Sequence, residues 1–407
     1  MFMGYIFNQL KELQNPYKRT MSFNGTQIFL LKILNFLLNK IIFLFFKIFN
    51  LKLLTIPTEA IGHQTFDIEC FLFEKKKRNL KFIPIICNSE KFMANSFLFE
   101  EYQKHKSNFF VIKNNFLATI FFYQRRYKNI SYDTTSYQQT HGFRKMHSIF
   151  KKKSFIYKLS SIHYKIAVDL LIKYKINIKT PFVVLHARDS SYKGNDGESY
   201  RNTNFNSFEK SVDWLSSKNF QIIRIGNKGM NRCSYVKKII DLTTYDMNQK
   251  DREILDLFFI QECYFFIGSC SGPYTLASIF NKPMLLVNMG PLSNIFPCAK
   301  KGIALPKLYM NKISKKFILF KDVLNFNFSN LRLDKQFEAL NIKLIDNTSE
   351  EILSATQEIY KKVLSNNFRE SFMQKRFKKI FNKKIHDSAN SSTSISSTFI
   401  NKYKNLL

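Results

Sequence analysis

Short apolar runs, each bounded by turn residues, recur through the second half of the chain. They cover residues 181–186, 220–226, 239–242, 263–268 and 283–288. Continuous runs of this length are typical of strands that are buried on both faces of a parallel sheet. Segments with helical periodicity lie between them, at 208–217, 249–261 and 274–281. Strands that alternate with helices predict a doubly wound α/β domain.

The first half repeats this pattern less regularly. Apolar runs at 53–57, 82–86 and 109–112 predict strands, and residues 67–75 predict a helix after the first of them. The long segment 116–179 has a mainly helical pattern. The predicted fold class is therefore α/β, with two doubly wound Rossmann-like domains, one in each half, that face a cleft.

Four segments follow from these patterns. We predict a helical N-terminal extension at 1–50, a first domain at 51–179, a second domain at 180–365 and a tail at 366–407. A chain of 407 residues is long enough for two hydrophobic cores. Thr348 and Glu351 form a capping box that predicts the start of the last helix before the tail. The tail is basic and then rich in serine, a composition that predicts disorder.

Residues 28–54 are very apolar but are interrupted by lysines, so no uncharged run approaches the roughly 20 residues that span a bilayer. On a helix, Lys32, Lys40 and Lys47 fall on a narrow polar stripe opposite a broad apolar face. This pattern indicates a helix that lies in a membrane interface. A helix that packs on the core of the protein itself has the same pattern, and both interpretations stay open.

The chain has 63 Lys and Arg against 30 Asp and Glu, a formal net charge of +33. A basic surface attracts nucleic acid, anionic lipid or phosphorylated substrates. Heavy use of Phe, Lys, Ile and Asn is also what A/T-rich codons produce, so the charge alone decides nothing. The lysines are spread along the chain and form no recognised nucleic-acid-binding module.

The six cysteines show no paired spacing and no cluster with histidine at metal-ligand spacing. Scattered cysteines in apolar runs indicate a reduced, cytoplasmic protein.

Two polar loops follow predicted strands of the second domain. In open α/β sheets, ligands bind where loops leave the carboxyl ends of the strands. The first loop places Arg188 directly after a strand, where its planar fork can bind a diphosphate. A surface ion pair between Arg188 and Asp189 is the alternative. The polar side chains of this loop are His186, Arg188, Asp189, Ser190, Tyr200, Arg201 and Asn202.

The second loop, at 268–273, consists mainly of small residues. Small residues let backbone N–H groups approach an anion, and the N-terminus of the following helix favours negative charge. The loop does not match the phosphate loop of nucleotidases, and the dinucleotide-binding glycine pattern is absent from the chain.

Taken together, these motifs resemble a family of bacterial cell-envelope glycosyltransferases, over roughly residues 50–365. The resemblance also includes Gly226 at the end of the 220–226 strand and the helix start at 347–352. More distantly, the His-x-Arg strand end is similar to that of GT-B fucosyltransferases. Ser271-Gly272-Pro273 is similar to the donor-phosphate loop of heptosyltransferases, although Cys270 stands where that loop usually has an aspartate.

This resemblance implies a GT-B fold in which the second domain binds a nucleotide-sugar donor and the first binds the acceptor. The acceptor would be a glycan of the cell envelope or a lipid-linked saccharide, as in lipopolysaccharide synthesis. No metal and no other cofactor are expected. The enzyme would be cytoplasmic, with peripheral contact to an anionic membrane if residues 28–54 bind lipid.

The resemblance also assigns roles to residues. Arg188 would contact the donor diphosphate, with Ser269, Ser271 and Gly272 as helpers and Arg201 as a second candidate cation. Other residues expected at the cleft are Gly62, His186, Ser190, Tyr200, Asn202 and Gly226.

An inverting transfer needs a general base for the acceptor hydroxyl. His63 is the first candidate, because we expect it on the loop that leaves the first strand, facing the cleft. A structural or exposed histidine is the alternative. Asp189 is the second candidate, and a weaker base because it lies beside the positive charge of Arg188.

Three other functions stay open. One is a related transferase that moves a pyruvyl or phosphoryl group during polysaccharide assembly. The second is a basic nucleic-acid-binding protein, and the third is a sugar-binding module without catalytic activity.

Overall fold

The structure is a computed structural model. It describes residues 33, 41–55, 60–87, 93–105, 110–112, 114, 117–118, 121, 129–134, 158–191, 197–294, 301–326, 328, 331–365 and 368–407.

The first half of the chain forms a four-stranded parallel sheet in the order β3-β2-β1-β4. Its strands are β1 (Leu51–Thr55), β2 (Ile83–Cys87), β3 (Phe110–Ile112) and β4 (Ser131–Asp133). The helices described beside it are α1 (41–48), α2 (Ile61–Lys77) and α3 (Ser96–His105).

Alternate residues of these strands belong to two different cores, as the pleat of a sheet requires. Leu53 and Ile85 form one core with Phe46 of α1. Leu54 and Ile86, their neighbours in the chain, belong to the main core of the protein. Helices therefore cover both faces of the first sheet.

The second half forms a seven-stranded sheet in the order β13-β10-β9-β8-β5-β6-β7, with every pair parallel. Its strands are β5 (Phe182–His186), β6 (Gln221–Arg224), β7 (Ile240–Asp241), β8 (Phe266–Gly268), β9 (Met284–Met289), β10 (Gly302–Pro306) and β13 (Ser394–Ile395). The helices that accompany it are α4 (Ser161–Lys173), α5 (Glu209–Ser217), α6 (Gln249–Glu262), α7 (Tyr274–Ile279) and α10 (Ser349–Leu364). The predicted α/β class with two doubly wound sheets is confirmed.

The strand order of the second sheet reverses at its centre. β5 lies between β6 and β8. The chain leaves β5 towards β6 on one side, whereas it leaves β8 towards β9 on the other. The loops after β5 and β8 therefore diverge and open a crevice, as at the ligand-binding switch point of other doubly wound sheets.

A small antiparallel pair completes the second half. It consists of β11 (Leu308–Asn311) and β12 (Ile342–Ile345), and helices α8 (Phe320–Asn325) and α9 (Asp334–Ala339) lie between them in the chain.

The tail predicted to be disordered is folded. Residues 368–407 form α11 (Phe372–Lys379), α12 (Ser397–Lys402) and the edge strand β13, which pairs with β10. Composition misled the prediction because the serines act within the fold. Ser396 caps α12 and donates its hydroxyl hydrogen to Glu358 of α10, at 2.8 Å.

Two further predictions change. Residues 131–133, inside the segment predicted to be mainly helical, form β4 at the edge of the first sheet.

In the N-terminal segment, Lys32 and Lys40 lie outside the described residues. In its described part, α1 packs on the sheet through Phe46, as the second interpretation predicts, and exposes most of its other apolar side chains; contact with a membrane stays a prediction. No helix in the described parts of the chain is long and apolar enough to cross a bilayer.

Candidate active site

The two predicted loops begin side by side. His186, the last residue of β5, is paired in register with Gly268, the last residue of β8. Ser269 then joins the loops, since its N–H donates to the carbonyl of His186 at 3.2 Å and its hydroxyl accepts from the N–H of Arg188 at 3.0 Å. Ser269 is buried and does not line the cavity described below, and in this structure it positions the loops.

A cavity of about 790 Å³ lies where these loops meet the first half of the chain. Its volume is in the range of small-molecule sites. The predicted site residues that line it are Gly62, His63, His186, Arg188, Arg201, Gly226, Ser271 and Gly272. The structure therefore brings most of the candidates from both domains to one cleft.

Two arginines share one carboxylate on the wall formed by the second domain. Nη1 of the buried Arg188 lies 3.2 Å from Oε2 of Glu198, and Nη1 of Arg201 contacts the same oxygen. Nε of Arg201 donates to the carbonyl of Cys270 at 3.1 Å. The described ion pair of Arg188 is thus with Glu198, not with Asp189. Two guanidinium groups converge on this carboxylate, and guanidinium groups are strong hydrogen-bond donors to anionic ligands.

His186 is a neutral link between the two loops. Burial lowers its pKa to about 4. Its Nδ1 lies 3.2 Å from the carbonyl oxygen of Ile225, and a carbonyl only accepts, so Nδ1 carries the hydrogen. Nε2 then accepts from the hydroxyl of Ser271 at 3.1 Å. The N–H of Ser271 donates to the carbonyl of Ser269, so Ser271 directs its hydroxyl hydrogen to the first loop and its N–H hydrogen into its own loop.

The two domains touch at the second loop. A Cβ atom on Gly272 would lie 2.3 Å from Cγ2 of Ile61 and 3.2 Å from the backbone nitrogen of Gly62. Thr65 and Thr275 are hydrogen-bonded through their hydroxyls at 2.6 Å. A glycine is therefore required at position 272 because α2 packs so close to it, whether or not a ligand also binds there.

His63 lies in the first turn of α2, not on the loop before it as predicted. Its side chain is 43% exposed, and Nδ1 is 2.8 Å from Oδ2 of the buried Asp67 one turn later. Burial raises the pKa of Asp67 and the contact with His63 acts to lower it. A carboxylate at Nδ1 orients the ring and leaves Nε2 as the basic nitrogen. Sequence reasoning missed Asp67, although its spacing of four residues from His63 places both on one helix face.

Asp189, Ser190, Tyr200 and Asn202 do not line this cleft. They line a second cavity of about 550 Å³ in the second domain. Successive residues in extended chain point to opposite sides, so Asp189 faces away from the side that Arg188 faces. The Asp189 carboxylate accepts from the N–H of Asn231 at 2.7 Å and from the N–H of Ser191 at 3.0 Å. It is buried and holds the loop in place, and the structure does not bring it to the cleft in which a base was predicted.

Asp256 of α6 is a cleft residue that the sequence did not indicate. Its Oδ1 is buried and has no hydrogen-bond partner among the described residues. Burial raises the pKa of Asp256 to about 7, while Arg252 nearby acts to lower it. A carboxyl group of this kind is half protonated at neutral pH and can either donate or accept a hydrogen bond.

No known sequence family matches the chain, and no curated protein matches its sequence. Among solved structures, the chain is similar to a family 9 glycosyl transferase from Veillonella parvula. The identity is 9%, the match covers 77% of this chain and 97% of that one, and the TM-score is 0.45. The chain is also similar to the ADP-heptose lipopolysaccharide heptosyltransferase II of E. coli, with 10% identity, coverage of 77% and 100%, and a TM-score of 0.44.

A third similar structure is the dodecameric glycosyltransferase TibC of enterotoxigenic E. coli. The identity is 14%, the match covers 58% of each chain, and the TM-score is 0.35. The match therefore spans little more than half the length of TibC. The three structures named here are described as glycosyltransferases. Heptosyltransferases, expected from the Ser271–Pro273 loop, are among them.

TibC is described as iron-containing, and this corrects the expectation that transferases of this type work without a metal. In the part of this chain that the structure describes, no group of three or more His, Cys, Asp or Glu side chains is arranged to hold a metal ion. The described residues thus do not fit such an ion.

The contact at Gly272 predicts a difference between two glycines of the cleft. Gly272→Ala should lower the free energy of unfolding by about 1–3 kcal/mol, because the added methyl group meets Ile61 and the backbone of Gly62. Gly62→Ala is the matched control, since its Cβ would be 3.8 Å from the nearest atoms and should change stability by less than about 0.5 kcal/mol. Urea unfolding measures both. Equal effects of the two substitutions would show that the domains do not meet here.

The buried carboxyl of Asp256 predicts a pH dependence. Its pKa in the folded state, about 7, lies above the value near 4 of an unfolded chain. The folded state therefore binds the proton more tightly, and the wild type loses stability as pH rises from about 4 through 7. Asp256→Asn should reduce this loss by about 1–3 kcal/mol. This figure is smaller than the full difference in pKa implies, because the side chain lines an open cavity. Urea unfolding at pH 5 and pH 7.5 measures it, and an unchanged pH slope would contradict the raised pKa.

Proposed function

We propose that the chain is a glycosyltransferase that moves a sugar from a nucleoside-diphosphate donor to a cell-envelope glycan or a lipid-linked saccharide. One observation carries this proposal. A pair of arginines from the segment that follows the central strand β5 lines the same cavity as a His–Asp pair of the other domain. The arginines suit an anionic leaving group, and the histidine suits the hydroxyl that replaces it.

The donor would lie against the second domain. Its diphosphate would compete with Glu198 for Arg188 and Arg201, which can each donate two parallel hydrogen bonds to phosphate oxygens. Gly272 permits close approach of the backbone at the start of α7. When the bond between the sugar and the diphosphate breaks, negative charge grows on the leaving diphosphate, and fixed cations stabilise it.

The acceptor would enter from the side of the first domain. Its hydroxyl oxygen attacks the anomeric carbon, the bond from that carbon to the diphosphate oxygen breaks, and the hydroxyl proton passes to Nε2 of His63. Asp67 stabilises the imidazolium that forms. This assignment of the base applies to transfer with inversion at the anomeric carbon.

We also propose a cytoplasmic location for the reaction. The described cysteines Cys70, Cys233, Cys263 and Cys270 are free thiols, which supports a reducing compartment.

The two walls of the cleft should fail in different ways. Arg188→Lys keeps the charge but loses the fork, so it should weaken donor binding at least tenfold. His63→Gln should leave donor binding within twofold and lower kcat about 100-fold or more. A panel of nucleotide sugars, with product mass read by mass spectrometry, identifies the group that moves and separates sugar transfer from pyruvyl or phosphoryl transfer.

Arg232→Ala is the matched control, because this exposed arginine lines the second cavity and not the cleft. It should change neither quantity. Full turnover in His63→Gln, or a loss of donor affinity in Arg232→Ala equal to that in Arg188→Lys, would contradict the proposal.

A further inference from the structure

Helix α1 is apolar on both of its sides. Phe46 is fully buried against β1, and Ile42 packs on the same core. On the outer side, five large apolar side chains are each between 50% and 66% exposed: Ile41, Leu44, Phe45, Ile48 and Phe49. Soluble proteins rarely leave a contiguous patch of this kind uncovered unless something binds it.

A cluster of cations lies where α1 ends. Helix α2 ends in Lys75, Lys76 and Lys77, followed by Arg78. The other members of the cluster are Lys47, Lys52 and Lys81. Glu74 is the acid beside them, and it is ion-paired with Arg78. The cluster therefore keeps a large positive charge.

Topology places the cluster and the apolar residues together. α1 leads into β1 and α2 leads into β2, and these two strands are parallel neighbours with Leu51 paired to Ile83. The N–H of Ile83 donates to the carbonyl of Asn50, the last residue before β1, at 2.9 Å. Both helix ends thus meet at the amino-terminal end of the first sheet.

The apolar patch continues across this end of the sheet. Ile83, the first residue of β2, is 38% exposed, and Phe110, the first residue of the edge strand β3, is 61% exposed. Large apolar side chains and lysines therefore alternate over one continuous surface. We call this surface the basic apolar end, formed by residues 41–49, 52, 75–78, 81, 83 and 110.

We propose that the basic apolar end binds the surface of an anionic lipid bilayer. Exposed Ile, Leu and Phe side chains enter the boundary between headgroups and acyl chains, and the lysines remain at the level of the phosphates. Each lysine near an anionic surface adds electrostatic attraction. Nucleic acid would use the cations but gives no role to the apolar side chains, and the charge disfavours a second copy of the same surface.

The orientation has a consequence that rests on the proposed function. The basic apolar end is at the amino ends of the strands, whereas the cleft is at their carboxyl ends. A strand of five residues spans about 17 Å, so the cleft would lie on the order of that distance from the lysines at the headgroups. A saccharide that extends outwards from a lipid anchor can reach such a cleft, and a hydroxyl at the bilayer surface cannot.

The test uses the full chain and vesicles in a co-sedimentation assay that needs no donor, so it is independent of the enzyme assay. We expect binding to vesicles of 30% phosphatidylglycerol in phosphatidylcholine and at least tenfold weaker binding to phosphatidylcholine alone. Lys75→Glu, Lys76→Glu and Lys77→Glu together should reduce binding to the anionic vesicles at least tenfold. The control reverses the same number of charges on exposed lysines at the end of α11 and just after it, with Lys379→Glu, Lys383→Glu and Lys384→Glu. Binding of this control to the anionic vesicles should stay within twofold of the unaltered chain.

A second pair of variants tests the apolar component. Ile48→Ser with Phe49→Ser should also reduce binding at least tenfold, whereas Ile172→Ser with Phe372→Ser, at positions that are 73% and 77% exposed, should not. Circular dichroism checks that each variant is folded. Loss of binding in the charge variant alone would mean adsorption without insertion and would overturn the proposal. Equal binding to both kinds of vesicle would also overturn it. The same holds if the chain binds random duplex DNA more tightly than the vesicles and this binding depends on the same three lysines.

Discussion

The site depends on one constraint, the adjacency of β5 and β8 at the point where the strand order of the second sheet reverses. His186 and Gly268 are paired at the ends of these strands, and the chain leaves them in opposite directions. The N–H of Arg188 then donates to the hydroxyl of Ser269, which fixes the first loop to the second. Without this adjacency, Arg188 and Gly272 would not line the same cavity. The same argument explains why Ser269 is buried, since it holds the loops rather than a ligand.

The cleft also depends on how closely the domains approach each other. Gly272 against Ile61 and the hydroxyl pair of Thr65 and Thr275 form one contact. A second contact joins α6 to the start of α3, where Glu253 accepts from the N–H and hydroxyl of Ser96, both at 2.8 Å. The cavity lies beside these two contacts, so the distance from the arginines to His63 is set by packing between the domains. A cleft built in this way can exclude water around a leaving anion, which strengthens every charge interaction in it.

The sequence predicted the architecture better than the directions of side chains. Buried parallel strands are continuous apolar runs, and for that reason β5, β6, β8 and β9 were predictable within a few residues. The sequence does not predict β4, which has only three residues. The composition of the tail predicts disorder, although Ser371 and Ser396 cap helices there. Arg188 and Asp189 are neighbours in sequence but face different cavities, which no composition of a loop reveals. The positions of Glu198 and Asp256 in the cleft could not be predicted, because only the fold brings these residues to it.

Nucleotide binding measured by isothermal titration tests the central claim most directly, because it needs neither the correct sugar nor the acceptor. If Arg188 and Arg201 hold the diphosphate of the donor, one nucleoside diphosphate of the common bases should bind at least ten times more tightly than its monophosphate. That preference should disappear in Arg188→Lys. Equal affinity for the diphosphate and the monophosphate, or a preference that survives the substitution, would contradict the account.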